Sequence, residues 1–204
     1  ESEQLFQRYI RLLGLRREAP SLEALRRLVR AQLTRVPFEN ISKLYQRKCT
    51  SSRELPGLLR YLEGIEHHHF GGTCYANNYY FSRLLSWLGY DIRLCGADMS
   101  DPDVHLVIMA VQGGREFLID AGYDAPFLEP LPRDLPHELA VELGVHRYVL
   151  RPQDREGRSR LEQYREGQLN HGYTMKPQPR RIEEFQAAIE DSFADHSSFM
   201  NAIY

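Results

Sequence analysis

Apolar residues recur at helical spacing through the first part of the chain and then change period near Gly89. Leu5, Phe6, Tyr9, Ile10 and Leu13 share one face of a first helix, which Gly14 ends. Pro20-Ser21 opens a second helix, with Ser21 as N-cap and Glu23 suited to the positive end. Leu22, Leu25, Leu28, Val29, Leu33 and Val36 form its stripe, and Pro37 stops it. Residues 37–50 have no clean period, and Pro37-Phe38-Glu39-Asn40 reads as a loop with one acid in it. A helix resumes over 54–61, with Pro56 in its first turn and Leu55, Leu58, Leu59 and Leu62 facing inward. Phe81, Leu84, Leu85 and Leu88 mark a further buried helix that ends at Gly89. The spacing thus predicts helices over most of 3–35, 53–63 and 74–88.

Strand patterns follow. Residues 90–95 alternate, 105–111 are a continuous apolar run, and 116–120 return after the turn Gln112-Gly113-Gly114-Arg115. Pro126, Pro130, Pro132 and Pro136 make 126–138 a connecting loop. Residues 146–150, 160–164 and 172–175 read as further strands, with 151–159 as a polar turn. A last helix after Pro179 carries Ile182, Phe185, Ile189 and Phe193. The expected fold class is α+β. A helical N-terminal domain spans 1–88, and an antiparallel β-barrel domain with a C-terminal helix spans 89–204.

The composition narrows the function classes. With 204 residues, 42% of them hydrophobic, the chain has material for a substantial core. A net charge of -2 and only short basic runs argue against nucleic acid as partner. No apolar run has the roughly 18 residues of a membrane span, and Glu1-Ser2-Glu3-Gln4 is no signal-peptide start. Cys49, Cys74 and Cys95 are an odd count without framework spacing, so a reducing, cytoplasmic setting is expected. A Cys49–Cys95 bridge is the oxidised alternative. Consecutive histidines such as His67-His68-His69 rarely converge on one ion, so no metal is expected.

The stretch with most chemistry is Phe70-Gly71-Gly72-Thr73-Cys74-Tyr75-Ala76-Asn77-Asn78. Cys74 falls in the first turn of a buried helix, where free N–H groups and the helix dipole favour an anion such as a thiolate. An inert buried cysteine is the plain alternative. His105 opens one strand of the expected hairpin and Asp120 closes the other, so the pairing brings them together. Asp120 then orients one imidazole nitrogen and the other faces Cys74, giving a nucleophile, base and orienter. Taken singly, His105 reads as a strand-end polar group and Asp120 as a turn residue. Glu39, in the loop Pro37-Phe38-Glu39-Asn40, is either a buried carboxylate or a turn acceptor. Tyr75, Tyr79 and Tyr80 line a pocket or pack the core.

These stretches together resemble the arylamine N-acetyltransferase family. The resemblance rests on Val36-Pro37-Phe38-Glu39-Asn40, Gly71-Gly72-Thr73-Cys74 with Asn78, His105-Leu106-Val107 and Leu118-Ile119-Asp120-Ala121-Gly122-Tyr123, with Ser197-Ser198-Phe199 as a weaker match. It implies a helical first domain, a β-barrel second domain, an α/β third domain and a core similar to papain-like proteases and transglutaminases. It implies Cys74, His105 and Asp120 as catalytic residues. The implied reaction passes an acetyl group from acetyl-CoA, or another acyl-CoA, to an arylamine or hydrazine through an acyl-cysteine. Alternatives within the same chemistry are amide formation on carrier-bound acyl chains, thioester hydrolysis, or a homologue without activity. Three departures stand out. The family usually has Arg where this chain has Phe70, and that Arg pairs with the acid matching Glu39. It usually has Glu where this chain has Ala76. The chain also ends at Tyr204, short of a complete third domain, which implies a more open cleft and competing hydrolysis.

Overall fold

The structure is a computed structural model that describes residues 2–125 and 127–194. Its helical part comprises α1 (Ser2–Leu12), α2 (Leu22–Arg35), α3 (Ile41–Thr50), α4 (Leu58–His68) and α5 (Cys74–Trp87). Ser21 caps α2 as its side-chain type dictates, its Oγ accepting from the Ala24 N–H at 3.1 Å. Val36 leaves the helix in an extended conformation, as a residue before proline must. α4 starts later than the pattern predicts, at Leu58, because Pro56-Gly57 breaks the run, and Gly57 is its N-cap. It runs on through His67 and His68 and stops at His69, whose φ is 55°.

α3 falls in the stretch 37–50, which shows no clean period in the sequence. Among its side chains only Lys43 is buried, and Ile41 and Tyr45 are exposed, so it carries no apolar stripe to read. Its start is held instead by Glu39, whose carboxylate accepts from the Ser42 N–H at 2.9 Å.

The strands are β1 (Asp91–Asp98), β2 (His105–Gln112), β3 (Arg115–Ile119), β4 (Leu131–Pro132), β5 (Leu139–Leu143), β6 (His146–Leu150), β7 (Ser159–Arg165) and β8 (Gln168–Pro179). They form one curled antiparallel sheet in the order β4-β3-β2-β1-β8-β7-β6-β5. The β2–β3 turn is the expected one, with Gly113 and Gly114 both at positive φ and Gln112 opposite Arg115. The proline-rich stretch contributes only β4, two residues at the sheet's edge, where Pro132 costs no ladder bond. β5 and the first third of β8 escape the sequence pattern because their side chains are largely exposed on both faces.

β2 explains how the layers meet. Its residues 105–110 are all buried. Ile108 and Ala110 point into the helical core with Phe81, Leu84 and Leu85, while Val107 and Met109 point into the curl of the sheet with Leu161, Tyr173 and Met175. A strand buried on both faces loses the polar alternation of an ordinary antiparallel strand. After β8, a 3-10 turn over Ile182–Phe185 leads into α6 (Gln186–Ala194), which lays Ile189 and Phe193 against the start of α5. The Ser197-Ser198-Phe199 motif lies outside the described residues.

One buried cation ties the two ends of the curl together. Arg133, just after β4, donates to Ser159 Oγ at 3.0 Å, to the Gly157 carbonyl at 2.5 Å and to Glu116 Oε2 at 2.7 Å. Breaking a buried ion pair from one side leaves the other groups unanswered, so Arg133→Ala is expected to destabilise the fold by about 3 kcal/mol. A urea-unfolding midpoint unchanged by the substitution contradicts that role for Arg133.

Candidate active site

The site begins with backbone packing. Glu39 Oε1 accepts from the Gly71 N–H at 2.9 Å, and the backbones of Phe38 and Gly72 form a parallel bridge. A Cβ on Gly71 would sit 1.9 Å from the Pro37 carbonyl oxygen, so this approach admits glycine alone. Glu39 therefore has partners although Phe70 stands where an arginine was expected. Its carboxylate is answered by two backbone N–H groups, those of Gly71 and Ser42.

Thr73 is the N-cap of α5, and Cys74 is its first residue. The Thr73 carbonyl accepts from the N–H groups of Ala76 and Asn77. Among the described residues no backbone carbonyl takes the N–H groups of Cys74 and Tyr75. Asn77 fastens three neighbours to this turn. Its Nδ2 donates to the carbonyls of Pro37 (3.0 Å) and Ala121 (3.2 Å), and its Oδ1 accepts from Tyr61 (2.9 Å). The loop after β3 packs on the other side. A Cβ on Gly122 would lie 2.2 Å from Cys74 Cα, so Gly122 is required there.

The hairpin does what its register promises. Pairing runs down to Ile108 opposite Ile119, which leaves Asp120 beside the open end of β2, where His105 begins. His105 Nε2 lies 2.8 Å from Asp120 Oδ2, and the two side chains are 3% and 1% exposed. The second carboxylate oxygen accepts from Asn78 Nδ2 at 2.8 Å and from the Gly122 N–H at 3.0 Å. Asn78 also donates to the Leu106 carbonyl and accepts from the Ala121 N–H, so one amide locks α5, β2 and the loop after β3. Tyr173 packs with its ring 4.9 Å from the imidazole.

With Nε2 committed to Asp120, the ring nitrogen left for Cys74 is Nδ1. Burial by itself pushes the His105 pKa down, but the Asp120 carboxylate and the adjacent Cys74 reverse this and bring it up to about 10. Burial works against the charge on Asp120 as well. The His105 cation and the hydrogen bonds from His105, Asn78 and Gly122 outweigh it and hold the carboxyl below its usual range. Cys74 is a free thiol, 5% exposed, packed with Tyr75, Leu106, Ile189 and Phe193. Ile189 and Phe193 of α6 pack in the same cluster as Cys74. Cys49 and Cys95 are also free, so the alternative bridge does not form. Tyr75 borders a cavity of about 300 Å³, while Tyr80 packs on Tyr61 in the helical core.

A profile of the N-acetyltransferase family matches residues 21–203. The chain belongs to the arylamine N-acetyltransferase family. An arylamine N-acetyltransferase of Gallus gallus, a pineal gland isozyme, is 28% identical over 197 residues, covering 83% of this chain and 65% of the relative. The chain thus spans just under two thirds of that relative's length. Among solved structures, the arylamine N-acetyltransferase of Mycobacterium abscessus superposes with a TM-score of 0.79 at 20% identity, over 98% of this chain and 73% of that one. The Mycobacterium marinum enzyme, solved in complex with CoA, has a TM-score of 0.74 at 20% identity, over 96% and 74%. These two likenesses concern the fold.

Within this arylamine N-acetyltransferase fold, the three residues singled out from sequence lie together, and Asn78, read only as part of a motif, holds the carboxylate. Asn77 escaped notice. Its signal was two consecutive asparagines on a helix whose other first-turn residues are buried, a placement that demands hydrogen-bond partners. Among the described residues no His, Cys, Asp or Glu cluster is placed to hold a metal. No described helix is long and apolar enough to cross a membrane.

The buried pair has a pH signature. His105 is raised from 6.5 to about 10, so the folded chain holds this proton more tightly than the unfolded one. The stability it contributes is full below pH 6.5 and is lost as pH rises towards 10. Asp120 is lowered from 3.8, so its share is present above 3.8 and is lost as pH falls. Urea unfolding should show wild type losing its stability advantage over His105→Gln between pH 6.5 and 10. A gap that stays constant over that range contradicts a charged pair.

Proposed function

We propose that the chain is an N-acyltransferase that works through an acyl-cysteine on Cys74, taking the acyl group from an acyl-CoA and passing it to an arylamine or hydrazine. The observation that carries this reading is the ordered contact of buried His105 with Asp120 through Nε2, which turns the other imidazole nitrogen to Cys74. The mycobacterial relative solved with CoA supports an acyl-CoA as donor. The free thiols of Cys49, Cys74 and Cys95 suit a reducing cytoplasm.

Each residue has a role that its surroundings favour. Cys74 is the nucleophile, and a protonated His105 beside it is the charge partner a thiolate needs. Asp120 sets the tautomer and balances the imidazolium, and Asn78 holds Asp120. In the first half-reaction Cys74 Sγ bonds to the thioester carbon. The bond from that carbon to the donor sulfur breaks, and the departing thiolate takes the proton from His105. The N–H groups of Cys74 and Tyr75, at the positive end of α5, face the oxyanion that forms in between. In the second half-reaction the amine nitrogen bonds to the acyl carbon and the carbon–Cys74 bond breaks. The amine proton passes to His105, which restores the starting ion pair. The attacking amine must be neutral, which suits weakly basic arylamines and hydrazines.

Asp120→Asn tests the triad. The asparagine amide donates to Nε2, so His105 keeps its remaining proton on Nδ1 and cannot accept one there. Acyl transfer should fall between about a hundredfold and ten-thousandfold with the fold intact, and iodoacetamide labelling of Cys74 at pH 7 should slow with it. Intact mass after incubation with acetyl-CoA should show one acyl group, absent from Cys74→Ala. An acyl adduct that persists in Cys74→Ala, or wild-type transfer rates in Asp120→Asn, overturns this reading.

A further inference from the structure

The cavity beside Cys74 is built for more than an acetyl group. It measures about 300 Å³ and lies between α3, α4, the turn before α5 and α6. Both chain neighbours of the nucleophile, Thr73 and Tyr75, are in its wall, while Cys74 itself lies just behind it. Ile189 and Phe193, which pack on Cys74 in one apolar cluster, continue that wall. Leu55, Phe70 and Ala76 also line it. Phe70 and Ala76 are the two positions where the chain departs from the family pattern, and both departures fall on this one surface. A side chain carrying charge is expected at each, and a phenyl ring and a methyl stand there instead. Tyr45 and His68 pack against Phe70 with tilted rings and extend the aromatic face.

An acetyl group offers one methyl to such a wall. A volume of this size is that of a pocket for a whole small ligand, and apolar space left empty weakens a fold. We infer that this cavity is the acyl pocket of the site and that the preferred donor carries an aromatic or medium-length apolar acyl group. The inference rests on the acyl-cysteine reading, whose bond changes are the same for any acyl group. On Cys74 the chain of the acyl group extends past Thr73 and Tyr75 into the cavity, where each methylene buried favours binding about fourfold.

α6 is the wall on which the pocket depends. Lys43 Nζ donates to the Ser192 carbonyl at 2.7 Å, and Arg47 donates to the Phe193 carbonyl at 2.9 Å, so two cations of α3 hold the C-terminal end of α6. Lys43 also faces the Phe193 ring at 5.2 Å. Burial brings the Lys43 pKa down to about 8. Among the described residues no carboxylate lies within ion-pair distance of it, so its contacts are spent on positioning α6.

The test compares acetyl-CoA, hexanoyl-CoA and benzoyl-CoA as donors, reading the rate of Cys74 acylation by intact mass. Wild type should favour hexanoyl or benzoyl over acetyl by at least about tenfold in kcat/KM. Leu55→Trp and Ala76→Leu, each checked for native circular dichroism, fill the cavity from two sides and should lower that ratio about tenfold. A preference for acetyl in wild type, or a ratio that neither variant moves, overturns the inference. If no donor acylates Cys74, the acyl-cysteine reading fails, and the pocket is judged by binding alone. Calorimetry on Cys74→Ser then compares S-hexanoyl-pantetheine with pantetheine. A gain of tenfold or more from the acyl chain, lost in Leu55→Trp, supports the pocket, and no gain refutes it.

Discussion

Everything near the nucleophile answers one constraint, the presence of an ionised carboxylate almost wholly removed from water. A charge in that position is tolerated only when its lone pairs are matched by donors and its field by a cation. Asp120 meets the condition with His105 on one oxygen and with Asn78 and the Gly122 N–H on the other. Each donor belongs to a different element: the start of β2, the second turn of α5, and the loop after β3. The hydrogen bonds that keep the charge buried therefore also set the distance between helix and sheet. Loosening any one exposes the others, so the electrostatics of the site and the docking of α5 on β2 are a single property.

The glycines do the complementary work. Gly122 lets the loop after β3 touch the backbone of Cys74, and Gly71 lets the turn before α5 touch Pro37. Between these contacts Cys74 is held from both sides without its own side chain taking part. Asn77 then bonds across the same two neighbours, Pro37 and Ala121, and its carbonyl is fixed by Tyr61 from α4. Glu39 is the outer brace. Its position survives the loss of an arginine partner because backbone N–H groups at a turn and at a helix start satisfy a carboxylate as well as a guanidinium does.

The readable and unreadable parts of the chain divide on physical grounds. α2 and α5 were legible because each buries a repeating apolar set, and the β2–β3 hairpin because Gly113-Gly114 sits between two apolar runs. His105 and Asp120 were legible together because that hairpin fixes which residues meet. α3 and β5 were not, since a helix or strand that buries almost nothing leaves no period in its sequence. The partners of Glu39 were equally hidden. They are backbone atoms, and a sequence names side chains only.

α3 shows what such blind spots conceal. Its sequence shows no period, yet as a helix it presents Lys43 and Arg47 to the carbonyls at the end of α6 and lines the cavity beside Cys74. Phe70 and Ala76, taken one at a time, look like losses from a family pattern, a cation missing here and a carboxylate missing there. In space they adjoin the same apolar volume, together with Ile189 and Phe193 of the helix that α3 tethers. Phe70 and Ala76 both flank the start of α5, which places them on one wall. His105, Asp120 and Asn78 lie outside the lining of that cavity, so a change in its wall leaves their hydrogen bonds as they are.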